Sequence, residues 1–268
     1  MIRLLPLAAL LLAGCEAGEL SRAGDGPTIV SLNPCTDAIL AEVTRPGQLL
    51  AISHYSKDPQ ASSMAPEDAA QYRATGGTVE EILALDPDMV VASSFIAPAT
   101  RAALEDLGLR VEIFGGVADV EESLAQVRTL AALAGDPVAG EALAGRISDA
   151  LAMASAEGET LEAALWQPGG IVPGESSLVA DLLRRTGFRS YSAARGMAQA
   201  DYLSLELVVA DPPDFLLVAG SETAQRHPVL DRIGGMRRET LDTSLIYCGG
   251  PTIIRAAERL AQIRRGVS

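Results

Sequence analysis

A fourteen-residue phrase occurs twice in this 268-residue chain, and that repetition limits the available folds more than any other feature. Residues 78–91 read T-V-E-E-I-L-A-L-D-P-D-M-V-V, and residues 204–217 read S-L-E-L-V-V-A-D-P-P-D-F-L-L. They align without a gap, 126 residues apart; Glu80/Glu206, Ala84/Ala210, Pro87/Pro213 and Asp88/Asp214 are identical, and most other positions exchange one aliphatic residue for another. Each copy describes one unit: a hydroxyl N-cap, a short helix, a Pro-Asp break, then a buried apolar strand. The interval is close to half the chain, far beyond the period of a solenoid. Two similar α/β lobes follow, facing each other across a cleft.

Hydrophobic residues make up 48% of the chain, enough for two cores, while aromatics at 4% are few enough to weigh one by one. The formal charge of −14 argues against a nucleic-acid partner, which needs a basic face to neutralise phosphate. Residues 1–15 read as a targeting segment: Arg3 supplies positive charge, residues 4–12 are apolar, and L-A-G-C closes the run. The apolar stretch is too short for a permanent membrane helix. The L-A-G-C arrangement resembles a lipoprotein signal, in which Cys15 becomes the acylated first residue; ordinary cleavage nearby is the alternative. Either route exports the protein to the periplasm or cell surface, and residues 16–27 read as a flexible tether.

Strands and helices alternate along residues 28–134, as in a largely parallel sheet covered on both faces. Strands are expected at 28–32, 49–53, 89–92 and 110–114. Residues 135–160 form one long helix after the cap pair Asp136-Pro137, with no Gly/Ser linker, so the connection is stiff. Residues 161–268 make the second lobe, with expected strands at 163–167 and 244–247 and a helix around 227–233. Ligands of open α/β sheets bind beyond the carboxyl ends of the strands. Those ends carry Cys35, His54, Tyr55, Phe95, Trp166 and Cys248, with Tyr202 a weaker candidate.

Several stretches carry a family resemblance: T-I-V-S-L-N-P at 28–34, a hydrophobic strand followed by His54-Tyr55-Ser56, the duplicated phrase, and C-G-G-P at 248–251. In their order and spacing the chain resembles the substrate-binding proteins of ABC importers of the cobalamin and ferric-siderophore type. The resemblance implies two Rossmann-like lobes with mostly parallel sheets, joined by one long rigid helix. It implies a non-enzymatic, monomeric carrier of a metal chelate (a corrinoid, a ferric siderophore or haem) that serves a permease dimer and its ATPase. It further implies that Glu80 and Glu206 dock onto arginines of that permease. Acids in a first helical turn also complement the helix dipole. Glu81 fits that simpler role, at the reciprocal position of a Thr78 capping box. In the second copy that position is Leu207, so Glu206 persists where the capping acid does not.

The remaining candidates divide by chemistry. His54 and His227 are the only histidines, and they fall in different lobes, a poor match to direct binding of a divalent metal. His54 is expected in the cleft, whereas His227, before Pro228, reads as a cap. Tyr55 could lie against a macrocycle; Trp166 suits either a flat ligand or the core. Cys35 and Cys248 sit at corresponding turns of opposite lobes, as inert residues, as an inter-lobe disulfide, or as thiols touching the cargo. The rival from another class is an exported α/β hydrolase with Ser177 in G-E-S-S as nucleophile, although that turn lacks the second glycine of G-x-S-x-G.

Overall fold

The computed structural model describes residues 26–156 and 158–266; Cys15 and the targeting segment lie outside them. The first lobe runs β1 (Ile29–Ser31), α1 (Pro34–Val43), β2 (Leu49–Ser53), α2 (Pro66–Ala70), β3 (Ala74–Thr75), α3 (Val79–Leu83), β4 (Met89–Ser93), α4 (Pro98–Asp106) and β5 (Arg110–Phe114). Two helices follow, α5 (Val120–Leu133) and α6 (Pro137–Ala154). The second lobe runs β6 (Leu161–Trp166), β7 (Ile171–Val172), α7 (Leu178–Arg185), β8 (Phe188–Ser190), α8 (Tyr191–Ala194), β9 (Asp201–Tyr202), α9 (Leu205–Ala210), β10 (Phe215–Val218), β11 (Arg237–Thr240) and α10 (Thr252–Arg265).

Both main sheets are wholly parallel, ordered β3-β2-β1-β4-β5 and β11-β10-β6-β8. Matching the repeated strands β4 and β10 makes β2-β1-β4-β5 equivalent to β8-β6-β10-β11, so the second sheet copies the first minus β3. The two phrases fold alike. Thr78 Oγ1 accepts from Glu81 N at 3.3 Å to start α3, and Ser204 Oγ accepts from Leu207 N at 3.2 Å to start α9. The shared aspartates do a matching job: Asp88 Oδ2 accepts from Thr28 N and Asp214 Oδ2 from Glu162 N, each at 2.7 Å. Each carboxylate thus satisfies the backbone where the neighbouring central strand begins.

The lobes share a core. One continuous apolar cluster holds Ile29, Leu40 and Val91 of the first lobe, Val127, Leu143 and Ile147 of α5 and α6, and Leu165, Leu217 and Leu260 of the second. Helix α6 lies at its centre, a rod of about 27 Å at 1.5 Å per residue. Gly140 lets α5 and α6 approach closely, since a Cβ there would fall 2.5 Å from Ala131 Cβ. The outer face of each sheet has its own cluster: Val30, Ile82, Val90 and Leu104 in the first lobe, and Trp166, Tyr191, Val208 and Leu216 in the second.

Three expectations need correction. Residues 243–245 form a 3-10 turn, not a strand, and the real fourth strand is β11, whose R-R-E-T sequence is largely solvent-facing. An edge strand with little to bury shows no apolar run. Residues 228–232 are likewise a single 3-10 turn capped by His227, whose Nδ1 accepts from Val229 N at 3.2 Å. Finally, the Thr78 half of the capping box forms, but the Glu81 carboxylate accepts from Thr75 Oγ1 and Gly76 N, at 2.8 and 2.7 Å, three and two residues before Thr78.

Candidate functional site

Parallel strands bring their carboxyl ends to one side of each lobe, and the connecting loops meet there. Two adjoining cavities result, of about 650 and 370 Å³. The larger lies on the first lobe and is walled by Tyr55, Phe95, Phe114 and Tyr247. The smaller lies between the lobes, among Gly116, Gln126, Gln167, Leu178, Gln199 and Tyr247.

Cys35 borders both cavities and Cys248 borders the smaller one. They are joined as a disulfide, with Cα atoms 5.1 Å apart and a sequence separation of 213. Of the three roles open to them, the structure selects the cross-link. It ties the first turn of α1 to the segment before α10. Around it, Gly250 packs on Ile39, and its N–H donates to Ser123 Oγ at 2.7 Å.

Tyr55 reaches the larger cavity on a 3-10 turn, residues 54–57, whose anchor is Asp37. The fully buried Asp37 Oδ2 accepts from Ser53 N at 2.9 Å and from Ser56 Oγ at 2.6 Å. Burial pushes its pKa up to about 7, against the lowering effect of hydrogen bonds from Ser31, Ser56 and Ser53. His54 is exposed, its Nδ1 3.3 Å from Thr75 O, with its ring tilted 35° against that of Tyr55 at 4.0 Å; it backs the tyrosine and lines neither cavity. Phe95 is 92% exposed at the tip of the loop after β4.

Trp166 is a correction. It is 1% exposed and belongs to the outer core of the second lobe, donating from Nε1 to Leu203 O at 2.9 Å. Successive side chains of a strand point to opposite faces. Leu165 takes the inner face of β6, so Trp166 takes the outer one. Tyr202 also lines neither cavity; it sits in the two-stranded antiparallel β7–β9 pair with its ring over Gly170. Tyr247, Phe114 and the glutamines were missed from the sequence. Tyr247 adjoins Cys248, itself singled out, and that adjacency was its available signal.

Glu80 and Glu206 occupy the second position of α3 and α9 and are both exposed. Neither takes part in an ion pair among the described residues. The backbone N–H of Glu206 and the Ser204 hydroxyl hold the Glu206 carboxyl below the usual carboxylate range. Ser177, the possible nucleophile, is committed to structure: its hydroxyl donates to Gly174 O at 2.7 Å and caps α7 through Ala180 N at 3.2 Å. Among the described residues, no group of three or more His, Cys, Asp or Glu side chains is placed to hold a metal ion.

Comparison with solved structures finds the same architecture. The periplasmic haem-binding protein RhuT from Roseiflexus sp. RS-1 superposes with a TM-score of 0.68 at 20% identity, over 89% of this chain and 96% of that one. The vitamin B12 binding protein BtuF of Vibrio cholerae gives 0.68 at 17% identity, over 90% and 97%. The haem-binding protein HutB of Vibrio cholerae gives 0.72 at 15% identity, over 88% and 98%. No curated protein matches the chain in sequence. The family model of periplasmic binding proteins matches residues 29–239, well over half the chain and both lobes. With twin parallel lobes, a helix between them and a cleft at the strand ends, the chain belongs to the periplasmic binding protein family.

Proposed function

We propose that this protein is the substrate-binding component of an ABC importer, which captures a metal chelate in its cleft and hands it to a permease. The carrying observation is the symmetry of Glu80 and Glu206. The duplicated unit places an exposed acid without an ion-pair partner at the same helical position of each lobe. An exposed apolar residue stands one turn further on in both copies, Leu83 at 43% and Val209 at 41% exposure. A paired acid-plus-aliphatic contact suits a two-fold partner with a cation at each half, as a permease dimer offers. The haem and vitamin B12 carriers that share this architecture support a chelate as cargo. A bare divalent ion is disfavoured by the dispersed histidines, and hydrolysis by the structural commitment of Ser177.

In this reading Tyr55, Phe95 and Tyr247 contact the cargo, with the disulfide beneath it and His54 supporting Tyr55. The carrier acts as a monomer outside the cytoplasm, held to a membrane through acylated Cys15. Replacing both docking acids (Glu80→Arg with Glu206→Arg) is expected to abolish chelate uptake by cells while leaving affinity in solution within about two-fold. A matching loss of affinity would overturn the docking role. A Cys15→Ser variant should be recovered in the soluble fraction; retention in membranes would rule out anchoring at that residue.

A further inference from the structure

We propose that the cleft selects a chelate rimmed by uncharged carboxamides over one rimmed by free carboxylates, an inference that rests on the chelate-carrier reading above. Its basis is a contrast. The chain carries −14 overall, yet no Asp, Glu, Lys, Arg or His lines either cavity of the cleft. By comparison, a cavity of about 400 Å³ between α1, α2 and α10 is lined by Glu42, Asp68 and Arg255.

Four carboxamides (Asn33, Gln126, Gln167 and Gln199) face the cleft alongside serine, threonine and tyrosine hydroxyls, and three of the four have one half already used among the described residues. Gln126 donates from Nε2 to Gly115 O at 3.1 Å, which leaves its carbonyl oxygen free. Gln199 accepts from Gly174 N through Oε1 at 3.0 Å, and Asn33 from Cys35 N through Oδ1 at 3.0 Å, leaving both NH₂ groups free. Gln167 has neither half engaged among the described hydrogen bonds. The cleft therefore offers acceptors as well as donors. A primary carboxamide, itself donor and acceptor, can satisfy both kinds; an ionised carboxylate accepts only and would leave the Gln126 and Gln167 oxygens unmatched.

Charge around the cleft points the same way. Glu122 accepts at 2.8 Å from the N–H of Ala118, a lining residue of the smaller cavity, so an acid stands beside that lining. The nearest arginines of α7 are neutralised, Arg184 by Glu175 and Asp181, and Arg185 by Asp181 and Glu121. Of the helix N-termini beside the cleft, α1 is capped internally by Asn33 and α7 by Ser177, whereas α4 starts at Ala97 without a side-chain cap, so an anion there would meet backbone N–H groups alone. A carboxylate entering this site loses water and meets no cation.

The test uses pairs that differ chiefly in rim charge: cobinamide against cobyrinic acid, both as dicyano complexes, and haemin against its bis-amide, titrated calorimetrically into the exported protein at neutral pH. Within whichever pair binds, the amide member is expected to be tighter by about 100-fold, equivalent to about 2.7 kcal/mol. A Gln167→Arg variant, checked for folding by circular dichroism, should narrow that gap about ten-fold by supplying a cation. Equal or tighter binding of the carboxylate members would overturn the selectivity and leave the chelate-carrier reading standing. Failure of all four probes and of ferrichrome to bind below millimolar concentration would overturn both.

Discussion

Asp37 shows how far one residue can matter without touching a ligand. Its carboxyl holds the turn that carries Tyr55, yet it is fully buried, its Oδ1 has no hydrogen-bond partner among the described residues, and its pKa is raised from 3.8 to about 7. An acid with a raised folded-state pKa binds more protons folded than unfolded. Its contribution is therefore fully present below about pH 4 and is lost as pH climbs to about 7, beyond which the curve is flat. The gap of about three units corresponds to roughly 4 kcal/mol across that window. In Asp37→Asn the fall in stability between pH 4 and pH 7, followed by urea denaturation, should largely vanish; an unchanged slope would mean that Asp37 does not titrate there. Nothing local to Asp37 hints at this role, because it reads as an ordinary first-turn acid of α1. Trp166 failed for a different reason. Its position at a strand end was legible, but only the alternation set by Leu165 says which face it takes. The cleft amides were illegible because glutamine has no spacing signature, and their meaning lies in which half of each amide is already bonded.

At the level of elements, the duplication was the legible part, and it carried more than its apolar pattern disclosed. Helix caps, the Pro-Asp break and the buried strand were all readable from local chemistry. What Asp88 and Asp214 do was not, because each bonds a strand start far away in sequence, at Thr28 and Glu162. Both substitutions, Asp88→Ala and Asp214→Ala, expose the same defect, an unpaired N–H at the start of a central strand. Each should cost about 1–2 kcal/mol, and the costs should add, since the two sites lie in different lobes without shared partners. Denaturant midpoints of the single and double variants measure this; strong non-additivity would show that the lobes are coupled through these strands. The edge strand β11 stayed hidden for the converse reason, since a strand with little burial leaves no periodic trace.

The whole molecule is two lobes by topology and one body by packing. A hinge requires a joint that can part, yet here the joint is an apolar cluster running from Ile29 through α6 to Leu260, with the disulfide fixing the cleft floor. The cross-link closes a loop of 213 residues, for which chain entropy alone predicts roughly 5 kcal/mol of stabilisation and measured bridges more often give about 2–4. Its removal should lower stability by that order without separating the lobes, because the cluster remains. The Cys35→Ser/Cys248→Ser variant is accordingly expected to melt in one transition at a lower temperature, with equal calorimetric and van't Hoff enthalpies. Two transitions would mean that the disulfide, and not the shared core, makes the lobes a unit, and that cargo release could proceed by their opening. A single transition would leave the cleft loops, Phe95 and the Tyr55 turn among them, as the parts that must yield when a permease strips the carrier.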